Sequence, residues 1–194
     1  MKNTLKNSRI LWCSLMLFCL LTACTSDDAT TTPTEPTNED VSTDDDTSSG
    51  NITYFLVGDT NTGGAIPIGC EQFAIPQATD TEITDTPRDI RTGLEALFSA
   101  ESGDLTNFWT GTTITELTLP AGGLRLQLIG GYAPTGVCAD AAAEAQLLLI
   151  VFSNEQLQQA FITLNGRNMK QVFDASGLVE AGATYTREDV PAAP

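Results

Sequence analysis

The pattern of apolar and polar positions from Ile52 onward predicts short strands and two helices. Ile52–Val57 is rich in β-branched and aromatic residues, which predicts a buried strand. Ala65–Gly69 predicts a short second strand, and Pro67 favours a place at the edge of a sheet because proline lacks a backbone donor. The next stretch, Gln77–Asp85, is polar, and we assign no element to it.

A helix is predicted to follow this polar stretch. Thr86 is an N-cap candidate, Pro87 suits the first helical position, and Asp89 places an acid at the third. The apolar residues then recur at helical spacing and form one inward face: Ile90, Leu94, Leu97 and Phe98. We expect the helix to stop near Gly103.

A hairpin is predicted in the middle of the domain. Thr112–Leu119 forms its first strand, and Pro120–Gly123 has the composition of a turn. Three leucines then face one way (Leu124, Leu126 and Leu128), while Arg125 and Gln127 face the other. Such alternation is typical of a half-buried antiparallel strand.

A second helix is predicted to start near Asp140, which we interpret as its cap. Apolar residues recur at helical spacing along it: Ala143, Leu147, Ile150, Val151 and Leu157. Leu147–Phe152 alone could equally be a buried strand, but the length of the segment and its flanking Ala and Gln residues favour a helix.

The pattern predicts a further hairpin towards the C-terminus. Ala160–Leu164 forms its first strand, and Asn165–Gly166 is a strong signal for a two-residue turn. Asn168–Phe173 is expected to return as the partner strand, and Tyr185–Val190 to pack back onto the domain.

The N-terminal pattern is different and resembles a bacterial lipoprotein signal. Three bases (Lys2, Lys6 and Arg9) precede the apolar run Ile10–Leu21, which is short for a bilayer span. Leu21–Cys24 resembles a lipobox, which implies loss of residues 1–23 and acylation of Cys24. Several acyl chains, at about 0.8 kcal/mol per buried methylene, would give a stable anchor. An ordinary signal peptide is the alternative. We expect an extracytoplasmic protein.

Residues 24–50 are expected to link the lipidated cysteine to the domain. Thr25–Gly50 is rich in Thr, Ser and Pro and has eight acids and no base, so it cannot bury a core. The net charge of the whole chain is −16, and loss of the three signal bases would make it −19. The remaining bases are scattered, which argues against nucleic acid as a partner.

The folded part is similar to the GerMN domain of the sporulation and spore germination family. The resemblance lies in Tyr54–Leu56, Arg91–Phe98 and above all Leu147–Gly166, and it covers roughly residues 52–190. It implies an α+β fold, mainly an antiparallel sheet packed against two helices, over residues 51–190, with 191–194 as a tail. It also implies a binding or assembly module and supplies no catalytic residues. The chain departs from the family at Phe108-Trp109 and at Asn154–Gln156.

The residue types exclude several chemistries. The chain has no histidine, which removes Ser-His-Asp and Cys-His catalysis and most zinc sites. Asp59–Gly64 resembles the start of a calcium loop, but Cys70 stands where a glutamate would be needed, so a turn is favoured. We therefore predict no catalytic residues, metal or cofactor. Phe108 and Trp109 are candidates for an exposed binding surface, although core packing is the commoner role for such rings.

The cysteines predict a disulfide. Cys13 and Cys19 lie in the signal and Cys24 takes lipid, which leaves Cys70 and Cys138 in a compartment where thiols oxidise. Two separate buried thiols are the alternative.

Three functional hypotheses follow. The first is a lipid-anchored, non-enzymatic module that binds or organises an envelope partner, either a protein or a cell-wall component. The second is a lipoprotein that binds a small ligand, and the third is a carboxylate-based hydrolase. A deep pocket would favour the small-ligand binder, and two close carboxylates in a cleft would favour the hydrolase. A flat exposed surface would favour the module that binds an envelope partner.

Overall fold

The computed structural model describes residues 50–84, 87–121, 123–133 and 135–192. The predicted signal, Cys24 and nearly all of the linker lie outside these residues, as does the predicted cap Thr86. The elements are, in order, β1 (Asn51–Gly58), β2 (Ile66–Gly69), β3 (Gln72–Glu82), α1 (Pro87–Ser99), β4 (Thr113–Thr118), β5 (Leu124–Ile129), α2 (Val137–Val151), β6 (Gln159–Leu164), β7 (Arg167–Asn168), α3 (Met169–Phe173) and β8 (Tyr185–Thr186), before a 3-10 turn at Arg187–Asp189. The predicted α+β class is confirmed.

The first sheet is antiparallel, with strand order β1-β3-β2. β1 and β2 are the predicted strands, and β2 lies at the edge, as Pro67 indicated. The interpretation of Gln77–Asp85 as a segment without an element was wrong, because most of it belongs to β3. β3 pairs with β1 from Gly58↔Phe73 to Asn51↔Glu82. Its last residues are exposed, so backbone pairing with β1, and not burial of apolar side chains, forms this part of the strand.

The second sheet has the order β4-β5-β6-β7, and β8 also pairs with β6. β4 and β5 form the predicted antiparallel hairpin, and the three leucines of β5 are buried. β5 and β6 are parallel, with Leu126 opposite Ile162, because α2 carries the chain back across the sheet between them. The rest of the strand pairing is antiparallel, as predicted.

The hairpin at Asn165–Gly166 is confirmed. Both residues have positive φ, 52° and 78°, as a tight two-residue turn requires. The partner strand was predicted too long, because β7 ends at Asn168 and α3 follows. The Asn168 side chain accepts the backbone N–H of Lys170 at 2.9 Å and so caps α3, which ends the strand there.

The two predicted helices are present. α1 begins at Pro87 and buries the predicted apolar face. α2 includes Leu147–Val151, so the helical interpretation of that run is confirmed. The predicted cap was wrong, because α2 begins at Val137, three residues before Asp140. The Asp140 carboxylate instead accepts the backbone N–H of Thr135 at 3.0 Å and the hydroxyl of Tyr132.

α2 lies at the centre of the core. Nine of its residues are buried, including every residue from Ala145 to Val151, and the core joins apolar side chains of both helices and both sheets. Gly93 of α1 permits close packing, since an added Cβ would lie 2.8 Å from Cγ2 of Ile150 and 3.4 Å from Cγ2 of Ile52. The two helices and β1 can therefore meet only with glycine at this position.

One polar side chain, Gln146, is fully buried within α2. Its Nε2 donates to the carbonyls of Phe55 at 2.9 Å and of Thr106 at 3.2 Å, and its Oε1 accepts the N–H of Phe108 at 3.2 Å. Phe55 lies on the edge of β1 that faces away from β3, where Val57 forms an isolated bridge with Thr106. Gln146 thus completes the hydrogen bonding of a buried strand edge.

The C-terminal segment packs back as predicted. β8 pairs with β6 through Ala160↔Tyr185 and Gln159↔Thr186, and Tyr185 is buried. Arg187 then donates to the carbonyls of Phe152 and Asn154, just past the end of α2. This segment therefore fixes the loop that leads from α2 to β6.

Candidate functional site

A cleft of about 470 Å³ opens between three segments that are distant in the sequence. They are the first turn of α1, the turn that joins β4 to β5, and the loop between α2 and β6. The apolar part of its lining consists of Pro87, Ile90, Leu119, Pro120 and Leu157. Its volume falls within the range of about 300–1,000 Å³ that is usual for small-molecule sites.

The polar part of the cleft is a row of carboxamides from the loop before β6: Asn154, Gln156 and Gln158. The Asn154 Oδ1 accepts the N–H of Gln156 at 2.9 Å, which forms a local turn, and Gln158 donates to the carbonyl of Glu155 at 3.2 Å. Within the described part of the chain, the side chain of Gln156 and the Nδ2 of Asn154 make no hydrogen bond. These groups are open to a ligand.

The loop that carries the carboxamides is held from behind. The Arg187 guanidinium donates to the carbonyls of Phe152, at 3.3 Å, and of Asn154, and it lies 5.9 Å from the centre of the Phe152 ring. The N–H of Leu157 also bonds the carbonyl of Asn154 at 3.1 Å. The polar wall is therefore positioned before any ligand arrives.

The described lining of the cleft contains no ionisable side chain. Neutral carboxamides and apolar groups can bind and orient a ligand by hydrogen bonds and burial. They offer no acid, base or nucleophile with a pKa suited to catalysis.

Carboxylates and tyrosines meet elsewhere, between α2 and the C-terminal segment. The Tyr185 hydroxyl donates to Glu144 at 2.5 Å. Burial raises the pKa of the Glu144 carboxyl above its usual value, although the bond from Tyr185 opposes the rise. Burial also raises the pKa of the Tyr185 hydroxyl, and the charge of Glu144 adds to this effect. This pair joins β8 to α2.

Two further contacts surround that pair. The hydroxyl of Tyr132 donates to Asp140. Burial is the main cause that raises the pKa of this tyrosine, and the hydrogen bond to Asp140 adds to the rise. Lys170 lies 2.9 Å from Asp189 and donates to the carbonyl of Thr184. Burial alone would raise the pKa of Asp189, but hydrogen bonds from Thr186 and Lys170 lower it. These carboxylates have internal partners and do not line the cleft, so the contacts support a structural role.

Glu144 makes stability depend on pH, and Glu144→Gln should remove that dependence. Because its folded pKa is raised, its contribution to the free energy of unfolding is full below about 4.5 and is lost as the pH rises through the folded value. Glutamine still accepts the Tyr185 hydroxyl but cannot ionise. In urea titrations at pH 4.5, 6 and 7.5, we expect the variant to be at least as stable as wild type at pH 7.5.

An acidic residue whose pKa is lowered by folding stabilises the protein at higher pH instead of lower pH, and Asp174 is such a residue and provides the control. Hydrogen bonds from Ser176, and then from the Val179 N–H, lower the pKa of Asp174 to about 2. Its contribution is present above the usual aspartate value, near 4, and is lost as the pH falls towards 2. Asp174→Asn should change how the free energy of unfolding depends on pH only in this acidic range, below about pH 4. An unchanged fall in stability between pH 4.5 and 7.5 in Glu144→Gln would contradict the assignment.

The aromatic pair proposed as a binding surface lies against the core. Trp109 has no exposed surface, and its Nε1 donates to the carbonyl of Ala143 at 2.8 Å. Phe108 is half-buried and meets the Tyr132 ring edge-on. Core packing, the favoured role, is therefore confirmed for Trp109, and the alternative of an exposed platform is wrong for this ring. The chain turns inward here because Asn107 donates to the carbonyls of Leu97 and Ala100 at the end of α1.

The predicted disulfide is present. It joins Cys70 and Cys138, whose Cα atoms lie 5.8 Å apart. Cys70 lies in the turn between β2 and β3, and Cys138 lies in the first turn of α2, so the disulfide joins the end of β2 to the start of α2. Both residues are exposed.

The resemblance of Asp59–Gly64 to a calcium loop does not produce a cluster of acids. The segment forms a turn in which the N–H of Thr62 bonds the carbonyl of Thr60 at 3.0 Å. No three His, Cys, Asp or Glu residues come together as metal ligands within the described ranges. In the same part of the chain, no helix has the length and apolar character needed to cross a bilayer.

Comparisons with known proteins give little further information. No family model matches the chain, and no curated protein matches it. A similarity was found to the crystal structure of a proposed lipoprotein from Clostridium perfringens, with 12% identity and a TM-score of 0.41, over 73% of this chain and 91% of that one. A TM-score this low supports no inference. Membership of the GerMN family therefore stays a prediction.

Proposed function

We propose that the chain is a lipid-anchored, extracytoplasmic module that binds a component of the cell envelope in the cleft. The observation that carries this proposal is the composition of the cleft. Its described lining combines apolar groups with open carboxamides and no ionisable residue, which suits binding. A non-enzymatic role, with no metal or cofactor, is part of the proposal, as is the predicted likeness to GerMN modules.

The disulfide supports the proposed compartment. Disulfides persist in exported proteins and are rare in the cytosol, where thiols are kept reduced. Cys70–Cys138 is exposed, so reductants could reach it. Its presence agrees with export directed by the predicted signal at residues 1–23.

The anchor is tested by Cys24→Ser, with Cys19→Ser as the matched control. Serine cannot form the thioether that holds the lipid, so we expect the variant to leave the membrane fraction, while Cys19→Ser stays membrane-bound. Loss of acyl chains removes about 0.8 kcal/mol per methylene of membrane affinity. Membrane fractionation measures where each variant is found, and intact-mass measurement shows whether it carries lipid. Unaltered membrane association of Cys24→Ser would refute the anchor.

The binding role is tested in cells with a photo-crosslinking residue at Leu119, which lines the cleft and is 42% exposed. The same residue at Leu178, which is exposed but does not line the cleft, is the control. We expect an envelope component to be captured from position 119 and not from 178. Equal capture from both positions, or none from 119, would contradict the cleft as the binding site.

A further inference from the structure

We infer that the ligand of the cleft is an uncharged saccharide, bound with its hydroxyl groups on the carboxamide row and a ring face on the apolar wall. This inference rests on the proposed function and specifies its ligand class.

The charge of the lining points to a neutral ligand. The chain has 25 acids and 9 bases, yet the described lining has neither. A buried anion would lack a cationic partner there, and a buried cation would lack a carboxylate. Desolvating an unpaired charge costs several kcal/mol. Uncharged ligands avoid this cost.

The hydrogen-bonding capacity of the row suits hydroxyl groups. A carboxamide presents a donor and an acceptor side by side, and a hydroxyl group both donates and accepts. Gln156 has both functions open, and Asn154 has its Nδ2 open. Neighbouring hydroxyls on a sugar ring can satisfy such a row without any change in charge.

The rest of the cleft lining is largely apolar. Pro87, Leu119 and Pro120 contribute rigid or branched aliphatic groups to it. The C–H face of a pyranose ring is apolar, whereas its edge carries hydroxyls. A cleft whose lining combines apolar groups with carboxamides therefore suits both the apolar face and the hydroxyl-bearing edge of a sugar ring.

An extended peptide fits the cleft less well. Peptides that add to a sheet need an open strand edge, and proline-rich peptides bind in aromatic grooves. The described lining contains no aromatic ring. It also contains no strand residue, because its members belong to α1, to the turn between β4 and β5, and to the loop before β6.

The test uses the full-length protein purified from membranes in detergent and isothermal titration. The probes are neutral tetrasaccharides of glucose, galactose and N-acetylglucosamine, the anionic tetramer of galacturonate, and tetra-alanine with blocked ends. We expect at least one neutral sugar to bind with a dissociation constant of about 1 mM or tighter, and galacturonate and the peptide not to bind. Binding of no neutral sugar, or stronger binding of the anion or peptide, would overturn the inference.

Gln156→Ala locates the site. Its side chain is exposed and has no partner in the described residues, so the fold should tolerate the change. We expect sugar binding to weaken roughly three- to tenfold, as the loss of one or two neutral hydrogen bonds implies. Glu155→Ala, in the same loop but outside the lining, is the matched control and should bind as wild type. Equal affinity of Gln156→Ala and wild type would place the sugar elsewhere and refute the inference.

The two proposals fail in different ways. If the cleft captures a protein from position 119 in cells while no sugar binds, the ligand class is wrong and the binding module stands. If Cys24→Ser stays on the membrane, the anchor fails whatever the titrations show.

Discussion

Gln146→Leu should lower the free energy of unfolding by about 2–4 kcal/mol, although the two side chains are similar in size. Leucine removes the partner of two backbone groups, the carbonyl of Phe55 and the N–H of Phe108. The carbonyl of Thr106 loses one of its two hydrogen bonds and keeps the one from the N–H of Val57 at 2.9 Å. Each orphaned buried group costs about 1–3 kcal/mol, and the gain from burying an apolar side chain offsets part of the sum. Guanidinium titrations with the disulfide intact measure the change.

Gln146→Glu should be worse than leucine at pH 7, because a carboxylate can only accept and would face two carbonyl oxygens. The matched control is Gln127→Leu on the second sheet, where the glutamine is half-buried and bonds the side chain of Glu116. We expect that control to change stability by less than about 1 kcal/mol. A loss below about 1 kcal/mol for Gln146→Leu would show that the buried edge of β1 does not depend on this amide.

Replacing both Cys70 and Cys138 with alanine should cost about 4 kcal/mol. The disulfide joins residues 68 positions apart, and closing a loop of that length lowers the entropy of the unfolded chain. We expect the domain to remain folded, because its core includes neither cysteine. Urea titration of the variant and of wild type, with and without reductant, measures the difference.

Reduction supplies the control for this experiment. Reductant should destabilise wild type by a similar amount and leave the double variant unchanged. Mass spectrometry of non-reduced wild type should show one disulfide and no alkylatable thiol in the folded domain. Two alkylatable thiols under denaturing, non-reducing conditions would contradict the pairing, and an unaltered midpoint after reduction would contradict its contribution to stability.

Sequence reasoning succeeded where the cause of structure was local. The β-branched run of β1, the proline at the start of α1 and the Asn165–Gly166 turn each restrict a few neighbouring backbone angles, and each appears as predicted. The alternation in β5 was equally informative, because one face of that strand is buried. The cysteine pairing followed from the count of cysteines left after the signal and the lipid site.

It failed where partners distant in the chain decide the structure. β3 has a polar end that becomes a strand only through pairing with β1. For Trp109, core packing was favoured but a surface role stayed open, because nothing in its neighbourhood shows that α2 supplies a carbonyl for its indole N–H. The start of α2 was misplaced because Asp140 had the residue type of a cap, while its actual partners are Tyr132 and Thr135.

The candidate site was not predicted from the sequence. Its carboxamides lie in a loop that stood out only as amide-rich and as a departure from the GerMN pattern at Asn154–Gln156. Other lining residues come from Pro87 and from Leu119-Pro120, more than thirty residues earlier in the chain. Sequence spacing shows which residues share one helix or strand, but it does not show which loops meet.

The sequence by itself was enough for the two longer helices, the strands β1, β2, β4, β5 and β6 and the pairing of two cysteines, and it predicts the lipid anchor. These depend on local backbone preferences, a count and a short motif. Only the tertiary structure decided the parallel pairing of β5 with β6, the buried hydrogen bonds of Gln146 and the cleft. Each of these joins groups far apart in the chain. Their contacts exist only after the core has packed, because packing brings such groups within hydrogen-bonding distance.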